Sequence, residues 1–299
     1  MGWRHVMITN KAKLSVRNNQ LVIIQDEEVK IPLEDIATVL LEENASVITG
    51  FALSKFSEYN IALFTCNQKH LPNGVLHGFQ THSRQLSVLQ RQYALSKPFK
   101  KRIWQRIIIQ KLLNQAECLS ILGKSGYDEL IQISKKVDSG DTTNREAYGA
   151  QIYFKYLFDG KFHRRQENTV NIALNYGYSI IRGAVARALV SYGFTPCLGI
   201  MHSNDLNNFN LADDFMEVYR PMADLCVKMY VDEEMEFSKE IRAQLYNLLN
   251  YNVLFHEEKY SIYRSIEEMI KSFVTACRHD DFNQLKLPQL LPLTLHKYE

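Results

Sequence analysis

The run Pro98-Phe99-Lys100-Lys101-Arg102-Ile103-Trp104 marks the point at which this chain changes its period. Proline fixes a backbone angle suited to the first turn of a helix, where its missing N–H costs nothing, so the spacing predicts a helix from here to Gly123. Ile103, Ile107, Leu113 and Cys118 are placed to face a core, leaving the basic residues outside. The helical period persists from about residue 83 onward, with further helices expected over 128–136, 143–158, 168–192, 212–230, 235–251 and 261–278. Upstream the pattern is different. Val6-Met7-Ile8, Lys13 to Val16, Gln20 to Ile24, Glu28 to Ile31 and Ile36 to Leu41 are short, rich in β-branched residues and separated by turn signals such as Asn18-Asn19 and Asp26-Glu27. Thr49 to Tyr59 has helical character, Ile61 to Phe64 reads as a strand and Pro72-Asn73-Gly74 as a turn. The expected class is α+β: a small β-rich domain over 1–82, an antiparallel sheet or sandwich, then a larger all-helical domain over 83–299. The ending, Leu285 to Leu293, carries Pro288 and Pro292, which block a helix. It is expected to be extended, lying on the body or docking on a partner.

Composition supports a folded, reduced protein. The 299 residues are 46% hydrophobic and 23% charged, too apolar for a disordered chain and long enough for two domains. No run of about 18 uncharged apolar residues is present, so no membrane span is expected. The start has neither the apolar stretch of a signal peptide nor a myristoylation pattern. Five cysteines, at 66, 118, 197, 226 and 277, are odd in number, widely spaced and without a CxxC pair. That argues against a disulfide framework and a zinc ribbon, and for a cytoplasmic location.

The formal net charge of +2 hides an uneven distribution. Between Glu58 and Glu117 there is no acidic residue, while Lys69, Arg84, Arg91, Lys97, Lys100, Lys101, Arg102, Arg106 and Lys111 all fall there. Acids gather elsewhere, as at Asp232, Glu233, Glu234, Glu236 and Glu240. A positive segment of this kind suits a polyanion, because neutralising phosphates releases counterions. The ordinary alternative is pairing with acidic helices of the same fold.

Several short motifs fall away on inspection. Gly123-Lys124-Ser125 resembles the end of a phosphate-binding loop, but Cys118 stands where that loop needs glycine, and the element before it reads as helix. His279-Asp280-Asp281 is a common helix-end grouping. His163-Arg164-Arg165 is a compact cation group in a loop. The helical part offers a better constellation in Glu146, His202 and the pair Asp214 and Glu217, whose spacing of three puts both on one helix face. Carboxylates with one imidazole suit Mg²⁺ or Mn²⁺. Each residue alone also has an everyday reading: a surface acid, a loop histidine, an acidic first turn complementing the helix dipole.

The words around these residues carry more. Arg145-Glu146-Ala147-Tyr148-Gly149-Ala150 with Tyr153-Phe154, then Asn171 to Tyr178, Thr195 to His202, and Leu211 to Pro221 come in order across almost the whole chain. They resemble the CRISPR-associated spacer integrase, the universal CRISPR adaptation endonuclease. The compact length and the stretch Ser203 to Asn210 resemble its type II branch. Many members have glycine after the first glutamate, where this chain has Ala147, also small. The resemblance implies that Glu146, His202 and Glu217 hold the catalytic Mg²⁺ or Mn²⁺, with Asp214 a supporting or alternate ligand. It implies joining of the 3′-hydroxyl ends of a captured prespacer DNA to the repeat ends of a CRISPR array by transesterification, with associated DNA endonuclease activity. It also implies double-stranded DNA, both prespacer and leader-repeat, as partner, held by Arg84, Arg91, Lys100, Lys101, Arg102, Arg164 and Arg165. Further implied partners are a second copy, paired through the β-rich domain, a small second adaptation protein completing a heterohexamer, and other type II adaptation proteins. Two other readings stay open: a nucleic-acid-binding scaffold with a non-catalytic metal site, and a general nuclease of branched DNA.

Overall fold

Among the described residues before position 83, eight short strands and one α-helix follow one another, and the strands pair non-sequentially. The structure is a computed structural model that describes residues 2–76, 78, 82–158 and 166–297. The chain divides into two compact units, Met1–Ser83 and Arg84–Glu299. The first contains β1 (Arg4–Ile8), β2 (Lys13–Arg17), β3 (Gln20–Ile24), β4 (Glu28–Pro32), β5 (Ile36–Leu41), β6 (Val47–Ile48), α1 (Gly50–Glu58), β7 (Ala62–Cys66) and β8 (Pro72–Leu76). Two sheets result, ordered β1-β5-β7-β8 and β4-β3-β2-β6. Leu14, Leu21, Val39, Phe56 and Leu63, drawn from both sheets and from α1, share one core. Alternation along each short strand is what delivers one face to that core.

The β-rich character agrees with the sequence reading, but the pairing differs in detail. β1, β5 and β7 are parallel, with Val39 opposite both Val6 and Leu63. Parallel neighbours need long crossovers, supplied here by β2 to β4 and by β6 with α1. Strand spacing alone suggested hairpins. Pro72-Asn73-Gly74, expected as a turn, opens β8, where Gly74 pairs with Thr65 on the sheet edge. Proline is tolerated there because an edge strand has a free side.

The second unit is mostly helical: α2 (Gln85–Tyr93), α3 (Lys97–Ile121), α4 (Tyr127–Ser134), α5 (Arg145–Leu157), α6 (Thr169–Ser191), α7 (Asn210–Met216), α8 (Arg220–Tyr230), α9 (Lys239–Tyr246) and α10 (Ile262–His279). It is not all-helical, because β9 (Tyr251–Phe255), β10 (Glu258–Ser261) and β11 (Gln289–Leu295) form a three-stranded antiparallel sheet. The expected helix over 235–251 therefore stops early. Tyr251, Val253 and Phe255 alternate into the interior, and the hairpin turns on His256 and Glu257 at φ 52° and 71°. Those residues carry no Asn-Gly signal, so the turn is silent in the sequence.

α3 is the axis of this unit. Ser96 caps it by accepting from the Phe99 N–H at 3.2 Å, and Pro98 sits in its first turn. It is buried on several sides, with Ile103, Trp104, Ile107, Ile108, Leu112, Ala116 and Leu119 all essentially inaccessible. Leu113 is only half-buried, and Lys111 is inside rather than outside. The predicted helix over 212–230 is interrupted by a 3₁₀ turn, Glu217–Tyr219. Pro221 has no N–H to return to the Glu217 carbonyl, which instead accepts from Arg220 N.

The proline-containing ending lies on the body. Leu290 is buried, and β11 pairs with β9. Asn114 of α3 fastens it, donating from Nδ2 to the carbonyls of Val218 (2.8 Å) and Pro288 (3.1 Å) and accepting from Leu290 N (3.1 Å). Asn114→Ala leaves two carbonyls and an amide without their partner in a buried place. Chemical denaturation should show a loss of about 2–3 kcal/mol; a change below about 0.5 kcal/mol would mean that the strap is held by its apolar contacts instead.

Four cysteines are buried and no disulfide joins the five; Cys197 is exposed. Burial pushes the Cys226 and Cys277 thiols up to about 12. A thiol-alkylating reagent at neutral pH should modify Cys197 alone in the folded protein, read by mass spectrometry, and equal labelling of a second cysteine would contradict that burial.

Candidate active site

Four elements of the helical unit converge on one site: α3, the start of α5, the loop after α6, and α7 with its 3₁₀ turn. Gly149 lets α5 approach α3 closely, since a Cβ there would stand 2.2 Å from Leu112 Cδ2. Asp141 closes the start of α5 by accepting from the backbone N–H groups of Arg145 (2.8 Å) and Glu146 (3.0 Å). Glu146 thereby projects from the first turn toward α3. Its Oε1 meets the Lys111 ammonium at 2.7 Å.

Glu217 arrives from the opposite side through the 3₁₀ turn. Its Oε2 is 2.5 Å from the same Lys111 nitrogen, and its Oε1 accepts from Arg220 Nε at 2.8 Å. Burial opposes charge on Glu217, yet Arg220 and then Lys111 hold its carboxyl down at about 2. Burial likewise works against the Lys111 ammonium, but Glu217 and Glu146 outweigh it and raise its pKa above the ordinary lysine range. The Arg220 guanidinium also lies over the Tyr178 ring, 4.6 Å from its centre.

His202 is aimed by Asp214. The Asp214 carboxylate is completely buried and gathers the loop around itself. It accepts from the N–H groups of Ile200 (2.5 Å), Met201 (3.3 Å) and His202 (3.1 Å), and lies 2.8 Å from His202 Nδ1. Gly199 makes the turn possible, because a Cβ would sit 2.1 Å from the His202 carbonyl oxygen. Gln92 of α2 pins the loop from outside, donating to the carbonyls of Thr195 and Leu198, both at 2.9 Å. Trp104 packs edge-on against the imidazole at 5.6 Å. The Asp214 hydrogen bond is the largest cause of a raised His202 pKa; burial opposes it, and the charges of Asp214, Glu217 and Asp213 add to it.

The structure thus brings Glu146 and Glu217 onto one cation and places His202 within the electrostatic reach of Glu217. Asp214 stands behind the histidine as its support. Among the described residues, no three His, Cys, Asp or Glu side chains stand close enough to enclose a metal ion as they are placed. The donor set still fits a hard divalent cation. The two carboxylate oxygens are separated by no more than their summed distances to the ammonium. Glu217 Oε2 is a buried acceptor that already faces a cation, the Lys111 ammonium at 2.5 Å. A histidine held at Nδ1 by a carboxylate presents Nε2 as donor atom, the usual outer support of a metal-bound imidazole.

A cavity of about 460 Å³ adjoins His202, lined by Tyr93, Lys100, Cys197, Asn204 and Asn207 among others. Asn210 shapes it by donating to the carbonyls of Cys197, Asn204 and Asn207. Of the predicted DNA-binding residues, Lys100 is half-buried on this cavity, while Arg84, Arg91, Lys101 and Arg102 are exposed. Arg164 and Arg165 lie outside the described residues. The basic segment therefore divides: Lys111 pairs with acids of its own fold, and Arg106 donates to the Leu285 carbonyl at 2.9 Å.

Lys111, Arg220, Asp141 and Gln92 were not singled out from the sequence. A signal for Lys111 was present. It continues the Ile103, Ile107 row at a spacing of four, and a lysine on an apolar helix face is buried only when paired.

Fold and site together define a two-unit α+β protein whose helical unit sets two glutamates, a lysine and a carboxylate-supported histidine around one point. The sequence model for the family described as "CRISPR associated protein Cas1" matches residues 6–241, and the chain belongs to that family. The CRISPR-associated endonuclease Cas1 of Neisseria meningitidis serogroup C (strain 8013) is 41% identical over 307 aligned residues, covering 100% of each chain. Among solved structures, a casposase bound to integration product has a TM-score of 0.76 at 17% identity, over 94% of this chain and 93% of that one. A chain of a Cas6-RT-Cas1--Cas2 complex has a TM-score of 0.74 at 18% identity; the match covers 97% of this chain but 36% of that longer one. At those identities the structural likeness is one of fold. No helix among the described residues is long and apolar enough to cross a membrane.

Proposed function

We propose that this chain is a CRISPR adaptation integrase of the type II branch, joining prespacer 3′-hydroxyl ends to the repeat ends of a CRISPR array by metal-dependent transesterification, with endonuclease activity at the same site. The observation that carries the reading is the convergence of Glu146 and Glu217 on one cation beside an imidazole oriented by Asp214, in a member of the Cas1 family. Its support from relatives is that the Neisseria protein is named an endonuclease and the casposase is bound to an integration product.

Glu146, Glu217 and His202 would hold Mg²⁺ or Mn²⁺. When bound, the ion polarises the phosphoryl oxygen and favours the deprotonated attacking oxygen. One phosphodiester bond forms as another breaks, so neither a covalent protein intermediate nor a nucleotide cofactor is required. Asp214 holds the imidazole at Nδ1, so Nε2 is the nitrogen it would offer the ion. Arg220 fixes the Glu217 carboxylate by its Oε1. Lys100, on the cavity wall, and the exposed Arg84, Arg91, Lys101 and Arg102 bind backbone phosphates, positioning DNA without reading its sequence. Arg164 and Arg165 add to that surface. Two insertions at the two repeat ends need two sites at fixed separation. A homodimer joined through the β-rich unit and bridged by the small second adaptation protein into a heterohexamer meets that need; the Cas1--Cas2 complex among the fold neighbours supports the second protein as a partner. The setting is cytoplasmic, in keeping with cysteines that form no disulfide.

The test is a supercoiled plasmid carrying a leader and repeat, incubated with labelled prespacer and Mg²⁺ or Mn²⁺, with and without the second adaptation protein. Joined product is expected in the presence of the partner. Clean hydrolysis without joining would favour the branched-DNA nuclease, and DNA binding with no bond change would favour the scaffold.

A further inference from the structure

The four-residue ion cluster at the centre of the site is balanced without any added ion. Glu146 and Glu217 supply two negative charges, and Lys111 and Arg220 supply two positive ones. Their environment is largely dry: the Lys111 side chain is 7% exposed and that of Glu217 4%. A divalent cation entering with both partners retained would add two positive charges to a balanced cluster where burial penalises them most. Displacement of a resident cation relieves that excess.

The two residents differ in how easily they can move. Arg220 has its Nε on Glu217 Oε1 and its guanidinium over the Tyr178 ring, contacts that a translation would break together. Lys111 bears a compact charge on a flexible four-carbon stem. Its ammonium lies 2.5 Å from Glu217 Oε2, and its other partner, Glu146, is the most open carboxylate of the set at 27% exposed. Lys111 thus occupies the place between the two carboxylates that the proposed metal would take, and it has a way out past Glu146.

We propose that Lys111 is a built-in placeholder: its ammonium bridges Glu146 and Glu217 and is displaced when a divalent cation binds between them. This rests on the metal reading above. Lys111 then has two consequences for the protein. It keeps a pair of converging carboxylates from repelling each other, and it lowers the affinity for the metal by competing for the same oxygens.

The test is titration of the full-length protein with MnCl₂, followed calorimetrically and without DNA, on the native chain and on Lys111→Met. Lys111→Met should bind Mn²⁺ at least tenfold more tightly. Its melting temperature should fall without Mn²⁺ and recover further on adding it than that of the native protein. Equal or weaker binding by Lys111→Met overturns the placeholder while leaving the metal reading in place. Binding by neither protein overturns both. If Lys111→Met does not melt cooperatively, Lys111→Gln takes its place. A second measurement needs no substitution: acylation of lysines by an amine-reactive ester should spare Lys111 in the native protein and modify it once Mn²⁺ is present. Protection under both conditions overturns the displacement.

Discussion

Glu146→Gln lowers joining of labelled prespacer to a leader-repeat plasmid by on the order of 10³-fold, the rate equivalent of losing several kcal/mol of metal-borne charge stabilisation. The same variant should melt close to the native temperature. Glu146 is partly exposed and makes one ion pair, so its neutralisation leaves Lys111 still paired with Glu217. Glu217→Gln should lose as much activity and also lose stability. Its carboxylate is the shared partner of the buried Lys111 and the half-buried Arg220, and removing it strands both cations. The pairing of the two results is what makes the prediction specific. If Glu146→Gln retains joining within tenfold of the native protein, the site is misassigned however Glu217→Gln behaves.

Asp214→Ala is expected to be the most destabilising single change in the site. Three consecutive backbone N–H groups, of Ile200, Met201 and His202, and one imidazole nitrogen all turn on that carboxylate. Orphaning several buried donors costs roughly 3–5 kcal/mol, measurable as a shift in the urea midpoint. Asp214→Asn is the finer probe. It keeps the volume but presents an amide N–H to donors that need an acceptor, and it removes the charge behind the imidazole. Changes in such supports to a metal-bound histidine typically cost about 10–100-fold in metal affinity. Retention of native Mn²⁺ affinity by a folded Asp214→Asn would show that His202 needs no support from behind.

Much of this architecture was legible because it depends on period. The alternation in Leu14, Leu21 and Leu63 and the helical spacing through Ile103 and Ile107 are local consequences of where side chains point, and they separated a β-rich part from a helical one. The break before α8 was also written locally, in Pro221, although the pattern of apolar residues on either side read through it. The parallel pairing of β1, β5 and β7 was not written locally. Nothing in Val6 or Val39 records which strand it will meet or in which direction, because that choice is made by crossovers 20 or more residues long. The hairpin between β9 and β10 was hidden for a different reason. His256 and Glu257 adopt left-handed backbone angles without the residues that usually announce them, so the surrounding sheet holds the turn in place.

The candidate site divides along the same line. Glu146, His202 and Glu217 were nameable from the order and wording of their motifs, and Asp214 from its spacing of three to Glu217. What each touches is decided by contacts between residues 12 to 106 positions apart. Asp214 is a support because the loop folds its own backbone onto the carboxylate, which no count of residues along the chain expresses. Lys111 is 35 residues from Glu146 and still farther from Glu217, yet its ammonium touches both. In the sequence it belongs to a basic run suited to DNA; in the fold it is the counter-charge of the acids. A sequence specifies which charges a protein owns and the local period on which they are hung, because those depend on neighbours along the chain. Only the tertiary structure decides which charges are taken out of water together, and the strength of a charge pair depends on that burial more than on anything local.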